Sequence, residues 1–471
     1  MAEKSYEAIV IGAGPGGYPA GIRLAQLGVK TLVVEKEYYG GVCLNWGCIP
    51  SKALIAAANT YQDMQEGVGT MGISTGDVSI DIDKLQDWKE GIVKKLTTGV
   101  QGLLKTNKAD SVMGTAKLVA KNQVEVTDAD GGKTTYEATK GIIIATGAQV
   151  IQIPGMEIDG ETIISAREAV SLREAKGTMV VVGGGVIGLE LGMVYQKLGM
   201  KVVVVELLPQ ILTGVDKDLV RVVQKAFEKT GGEVHVEAKV EKITKKDGKA
   251  TVTVATKDGK SFDIEANKVL MAVGFKPNSK NLGLEDLGVK MDQRGHIQVN
   301  EKLETNVSGV YAIGDVIGAP YLAHKATKEG EIVAEVVAGH KAAVDWRAMP
   351  SAIFTEPEIA TVGLSETQAK EQGKNVKVGK FPFSVSGRAM AVRHTEGFVK
   401  TIVDAETHEV LGVAIVGPEA SDLISEASLA IEMCAFAEDV HLTIHPHPTL
   451  GEAVMESFKH ALGEAVHLIN R

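Results

Sequence analysis

Cysteine is scarce in this chain, 3 in 471 residues, and aromatic residues make up only 4%. So few thiols exclude a disulfide-stapled scaffold, which a chain long enough for two or three cored domains does not need. Positive charge is in deficit: the formal net charge is -10, lysines and acids interleave, and no polybasic patch occurs. That excludes a nucleic-acid footprint. No apolar run approaches the roughly 18 residues of a membrane span. The opening MAEKSYEAIVIGAG shows no basic segment followed by an apolar one, so no signal peptide is expected. These absences point to a multi-domain protein of the cytoplasm that engages neither nucleic acid nor membrane.

Glycine, in contrast, is abundant, with 53 residues, consistent with many tight βα turns and close backbone approaches to ligands. Two stretches repeat one pattern. YEAIVIGAGPGG (6–17) is an apolar β-type run ending in Gly12, Gly14 and Gly17; a helical stretch to Leu27, a capping Gly28 and a second strand ending at Glu35 follow. GTMVVVGGGVIG (177–188) repeats this with Gly183, Gly185 and Gly188, a helix to Leu198, Gly199 and a strand ending at Glu206. Each acid stands 23 residues after its first glycine. In such fingerprints the first glycine turns, the second admits a pyrophosphate, and the third lets helix pack on strand; the acid accepts hydrogen bonds from ribose hydroxyls. Pro19 falls fifth in the first helix if Gly14 caps it, which predicts a bend or a shifted helix start.

GIIIATGA (141–148) and KVLMAVGF (268–275) read as buried strands that return each domain's chain to its nucleotide. TNVSGVYAIGDV (305–316) gives another strand ending in Gly314-Asp315, and residues 322–339 read as a helix. An acid at a strand's carboxyl end can meet a ligand in the sheet crevice; an ordinary turn aspartate is the alternative. From about Pro350 strands alternate with polar turns, and residues 421–436 form an apolar-faced helix on which Cys434 reads as a buried core thiol. The expected fold is α/β: two Rossmann-like domains, one inserted in the other (1–148 and 277–346 around 149–276), then an α+β domain at 347–471.

GGVCLNWGCIPSK (40–52) holds Cys43 and Cys48. A structural disulfide, half a zinc site and a redox-active dithiol all remain open on spacing, although no second ligand pair is evident and no metal is expected. In a regular helix two Cα atoms five apart lie near 8 Å, beyond the roughly 7 Å limit for a disulfide. A bonded pair would need the distorted backbone that Gly40, Gly41 and Gly47 permit. HPHPTLGE places His447 five residues before Glu452, a carboxylate able to orient an imidazole base. A capping or merely structural histidine is the other reading.

In order along the chain, GAGPGG, GGVCLNWGCIPSK, IIIATG, GGGVIGLE, YAIGD and HPHPTLGE resemble the flavin-dependent pyridine nucleotide-disulfide oxidoreductases, over nearly its whole length. The resemblance implies FAD at the first fingerprint, with contacts from Gly12, Gly14, Gly17, Glu35, Lys52, Gly114, Thr146, Gly147, Asp315 and Ala323. It implies NAD at the second, with Gly183, Gly185, Gly188, Glu206, Val240 and Gly274. Cys43 would be the interchange thiol that meets substrate and Cys48 the charge-transfer thiol beside the flavin. Lys52 would pair with Glu190 near the flavin, and His447, held by Glu452, would be the acid–base. The implied reaction oxidises dihydrolipoamide on a lipoyl domain and reduces NAD⁺. The implied assembly is a homodimer, each His447 serving the partner's disulfide, docked on the E2 acyltransferase core of a 2-oxo acid dehydrogenase complex. Glutathione reductases carry arginines at the second nucleotide site, whereas here Arg221 is the first after Glu206; mercuric reductases carry a C-terminal cysteine pair, whereas this sequence closes GEAVHLINR. A scaffold or sensor that has lost catalysis would not need Cys43, Cys48, His447 and Glu452 together. Trp46 and Pro446 depart from the usual pattern, at positions where smaller residues are common.

Overall fold

The computed structural model describes residues 4–470; residues 1–3 and 471, the outer ends of the first and last expected segments, lie outside the described residues. Strands Lys4–Ile11, Thr31–Glu35, Asp110–Met113, Lys133–Ile144 and Val310–Ala312 form the parallel part of one sheet, extended by the antiparallel pair Thr115–Ala120 and Gln123–Thr127. Ile9, Val10, Val33, Ile142 and Ile143 are fully buried in it, because a parallel strand covered on both faces reads as a continuous apolar run. Between strand Lys133–Ile144 and Val310 the chain leaves to build a second parallel sheet from Ile163–Ile164, Thr178–Val182, Lys201–Val205, Glu233–His235 and Lys268–Met271. An antiparallel three-stranded sheet, Ala238–Lys246, Lys249–Thr256 and Ser261–Ala266, accompanies it. The two connections between these bodies, Ala148–Val150 and Phe275–Pro277, pair with each other. The last third is a five-stranded antiparallel sheet, Ser351–Ile353 to Val410–Gly417, backed by helices Ala420–Glu432 and Glu452–Leu462.

The first fingerprint helix starts late, at Gly17, and runs to Gln26. Pro19 is therefore third rather than fifth, inside the turn whose N–H groups lack helical partners anyway. The carbonyl of Pro15, which a residue with an N–H at position 19 would have engaged, accepts instead from the Thr327 hydroxyl at 2.9 Å.

Cys434 is exposed, not a core thiol. The helix stops at Glu432, and Cys434 takes the left-handed conformation, φ +54°. The turn sends Ala435 and Phe436 back to the start of the central strand Val410–Gly417, where the Ala435 carbonyl accepts from Val410 N. The buried face is Ile424, Ala427, Ala430 and Ile431. Leu429, Met433, Phe436, Leu442 and Ile444 form an exposed apolar set, Ile444 at 95%. No helix among the described residues is long and apolar enough to cross a membrane.

Candidate functional site

The two fingerprints are built alike. Gly12 and Gly183 have φ of +105° and +103°. A Cβ there would stand 2.3 Å from the Ala145 carbonyl oxygen and 2.4 Å from that of Ala272, where the returning strands end. At Gly17 and Gly188 it would stand 1.9 and 2.3 Å from the carbonyl of the first glycine. Four glycines are thus demanded by the protein's own backbone. The middle ones are not: a Cβ at Gly14 meets nothing nearer than 3.8 Å and at Gly185 nothing within 4 Å. What the second glycine keeps clear is open space at the turn, the shape a pyrophosphate needs.

The acids repeat too. Glu35 Oε2 accepts from Ala13 N at 2.7 Å and Oε1 from Glu37 N at 2.8 Å. Glu206 Oε2 accepts from Gly184 N and Oε1 from Leu208 N, both at 2.7 Å. Each carboxylate fixes its glycine turn and the bend after its own strand, and keeps lone pairs for a ribose. Gly114 N donates to the Glu35 carbonyl at 2.8 Å. The Thr146 hydroxyl is engaged by the Asn278 carbonyl at 2.8 Å, so this threonine joins the two connections. Gly147 and Gly274 take φ of +69° and +105° on those connections. The side chain of Val240 is buried in the core, which leaves only backbone for a nucleotide.

Asp315 lies in the turn Gly314–Ile317 and Ala323 opens the helix Ala323–Ala338. Burial pushes the Asp315 carboxyl up to about 6, against the pull of Lys325. Lys325 is itself paired with buried Glu329 at 3.0 Å, and Glu329 accepts from Gly314 N at 2.7 Å. This ion pair holds the Asp315 turn; only its i,i+4 spacing in sequence hinted at it.

Cys43 belongs to the one-turn helix Gly41–Asn45, and Cys48 starts the helix Cys48–Gln62. The backbone breaks between them, at Trp46 and at Gly47 with φ −113° and ψ −115°. Both cysteines are free. The neighbouring Cys48 sulfur together with burial pushes the Cys43 thiol up. Cys48 is pulled down by Cys43 and, despite burial, by the Lys52 charge; it also sits at a helix N-terminus, which favours a thiolate. Lys52, one turn on, places Nζ 2.7 Å from Glu190 Oε2. Glu190 Oε1 accepts from Phe354 N at 2.9 Å, and the ammonium sits 4.4 Å from the centre of the Phe354 ring. Phe354, in the last domain, carried no sequence signal.

His447 Nδ1 meets Glu452 Oε1 at 2.8 Å, and Glu452 Oε2 accepts from Thr449 N at 2.8 Å. Burial opposes ionisation of Glu452, but these two bonds hold its carboxyl below the usual range. With Nδ1–H bound to a carboxylate, Nε2 is left as the basic nitrogen. The imidazole is 81% exposed, and among the described residues no hydrogen bond or ion pair joins it to Cys43 or Cys48. His445, by contrast, is spent locally on Glu426 at 2.8 Å. Nothing in the structure explains the proline at 446.

Residues 6–330 match the family model of pyridine nucleotide-disulphide oxidoreductases, and residues 349–458 the dimerisation domain of the same family. A dihydrolipoyl dehydrogenase of Geobacillus stearothermophilus is 46% identical over 466 residues, covering 99% of this chain and 98% of the relative. One of Thermus scotoductus is 47% identical over 470 residues, covering 99% and 100%. Among solved structures, LpdA from Mycobacterium tuberculosis superposes with a TM-score of 0.89 at 26% identity, covering 96% of this chain and 99% of that one. With glycine turns, thiol pair and His–Glu dyad in one frame and relatives matched end to end, the chain belongs to the pyridine nucleotide-disulphide oxidoreductase family.

Proposed function

We propose that the protein oxidises dihydrolipoamide on a lipoyl domain and reduces NAD⁺ to NADH, as a cytoplasmic homodimer on the E2 acyltransferase core of a 2-oxo acid dehydrogenase complex. The observation that carries this is the pair of free cysteines, Cys43 and Cys48, on either side of a broken helix with the Lys52–Glu190 ion pair one turn on, lying in one chain with two glycine turns that leave room for a dinucleotide. In this reading residues 1–148 and 277–346 hold FAD, through Gly12, Gly14, Gly17, Glu35, Lys52 and Asp315. Residues 149–276 hold NAD, through Gly183, Gly185, Gly188 and Glu206. Residues 347–471 meet the partner subunit, which would cover the exposed apolar set around Met433 and Ile444.

The oxidised enzyme carries a Cys43–Cys48 disulfide. His447 Nε2 takes a proton from one substrate thiol, and the thiolate attacks Cys43 Sγ, so that Cys48 leaves as thiolate, stabilised by Lys52 and the helix N-terminus. The second substrate thiol attacks the substrate sulfur bound to Cys43, its proton going to the departing Cys43 sulfur; lipoamide leaves, with Cys43 as thiol, Cys48 as thiolate and the first proton on His447. FAD, when bound, is the two-electron carrier between this dithiol and NAD⁺. In this reading His447 serves the disulfide of the partner, which the exposure of its imidazole on a single chain supports. The test is NAD-dependent oxidation of dihydrolipoamide, with glutathione and NADPH as controls. Turnover with the first pair alone is expected; turnover of glutathione with NADPH, or no flavin reduction by dihydrolipoamide, refutes the reading.

A further inference from the structure

Trp46, between the two cysteines, is gripped from the other nucleotide domain. Arg167 lies on the four-residue helix Ala166–Ala169, directly after the edge strand Ile163–Ile164, and Ser165 with Glu168 fixes that helix start as a reciprocal cap. Its guanidinium carbon is 4.4 Å from the centre of the Trp46 ring and 5.9 Å from that of Tyr38. Tyr38 itself meets Trp46 edge-on at 5.5 Å. Arg167 Nη2 donates to Glu37 Oε1 at 2.7 Å. Glu37 N in turn donates to Glu35. One cation of the second domain therefore holds both the bend after Glu35 and the loop joining Cys43 to Cys48.

We propose that Arg167 is a positioning residue for the thiol pair, acting through Trp46. The loop needs such an anchor. It consists of a single helical turn, which cannot hold itself, followed by Gly47, which restricts nothing. A guanidinium over an indole face is electrostatically attractive, and Glu37 keeps the guanidinium in place. Trp46 ends the Cys43 turn and precedes Cys48 by two residues, so holding its ring sets how the Cys43 thiol meets the Cys48 sulfur. The inference rests on reading that pair as the redox dithiol. It gives the tryptophan a purpose: bulk here serves an interdomain grip.

The test uses the reduced holoprotein under anaerobic conditions, with Arg167→Gln, Arg167→Lys, Trp46→Leu and Trp46→Phe. Three quantities are read: the rate of Cys43 alkylation by iodoacetamide, followed on the Cys43 peptide because Cys434 is also exposed; the long-wavelength thiolate–flavin absorbance; and Tm. Arg167→Gln and Trp46→Leu are expected to speed alkylation by roughly two- to tenfold, the population change a cation–π contact can hold, and to weaken the absorbance. Arg167→Lys and Trp46→Phe, which keep a cation and a ring, should recover most of both. Wild-type alkylation and absorbance in Arg167→Gln overturn the proposal, whatever happens to Tm, and so does a lysine variant indistinguishable from the glutamine one. Neither readout needs lipoamide turnover. A failed dihydrolipoamide assay would refute the proposed substrate and leave this result standing.

Discussion

Cys43 and Cys48 differ in environment, not in kind. The neighbouring sulfur and burial push the Cys43 thiol up, whereas Cys48 is drawn down by Cys43 and by Lys52. Cys43→Ser and Cys48→Ser should each abolish lipoamide turnover and keep FAD bound, and only Cys43→Ser should keep a charge-transfer band; a band surviving in Cys48→Ser instead would reverse the roles. Asp315 gives a pH dependence. Its folded pKa, raised by burial to about 6 from 3.8, means that charging it destabilises the fold. Protein stripped of FAD should therefore lose stability as pH rises from about 4 to about 6, and Asp315→Asn should flatten that slope in Tm while weakening FAD retention. In the proposed reading the Glu206 carboxylate faces the adenine ribose, where NADP would add a second anion, and no arginine stands in LLPQILTGV to neutralise it. Preference for NAD in kcat/KM should be at least about 10²-fold. Glu206→Ala should narrow it, mostly by weakening NAD use, since the bonds to Gly184 and Leu208 also go. An unchanged coenzyme ratio would count against this role.

Among elements, the domain contacts rest on charges as well as on apolar packing. Lys400, 3% exposed on strand Phe398–Asp404, places Nζ 2.8 Å from Asp216 and 2.9 Å from Asp218. These acids sit at the start of helix Lys217–Lys229. The ammonium thereby joins the last sheet to the second nucleotide domain, and the Thr367 hydroxyl donates to Asp216 at 2.9 Å as well. Lys400→Met would leave Asp216, whose side chain is only 9% exposed, without its cation; losing the partner of a buried ion pair typically costs about 3–5 kcal/mol, and the partial exposure of both acids favours the lower end. A clear fall in Tm is expected, with the coenzyme ratio unaltered. A wild-type Tm would show that the two bodies do not depend on this cluster. Element boundaries were largely legible where a periodic run met glycine, as at Gly28 and Gly199. They were misread where a non-glycine residue left the helix in the left-handed conformation, as Cys434 does; nothing in composition marks that turn.

For the whole molecule, the proposed shared site makes catalysis a property of two chains, each exposed His447–Glu452 dyad serving the partner's cysteines. His447→Ala should slow lipoamide turnover by about 10²–10⁴ and spare hydride exchange between NAD and flavin. Mixed dimers of Cys43→Ser and His447→Ala chains should regain one working site, although neither parent has any. A mixture as inactive as its parents would place each histidine with its own cysteines after all.

Sequence alone determined what is local: two strand–glycine–helix–strand–acid units, a thiol pair on a loop too glycine-rich for regular helix, and a histidine five residues from its carboxylate. These follow from short-range rules: Gly17 and Gly188 are forced by the carbonyls of Gly12 and Gly183 within the same turn, whereas the carbonyls that force Gly12 and Gly183 themselves come from the distant Ala145 and Ala272. Tertiary structure decided what depends on distant segments meeting. Lys52 meets Glu190 across 138 positions, a pairing the family resemblance implied and periodicity could not show. The Phe354 ring at that lysine, the Thr327 hydroxyl on the Pro15 carbonyl and the Arg167 grip on Trp46 had no sequence signal at all. Such contacts are set by how whole sheets pack, and packing is a sum over many weak terms that no single motif carries.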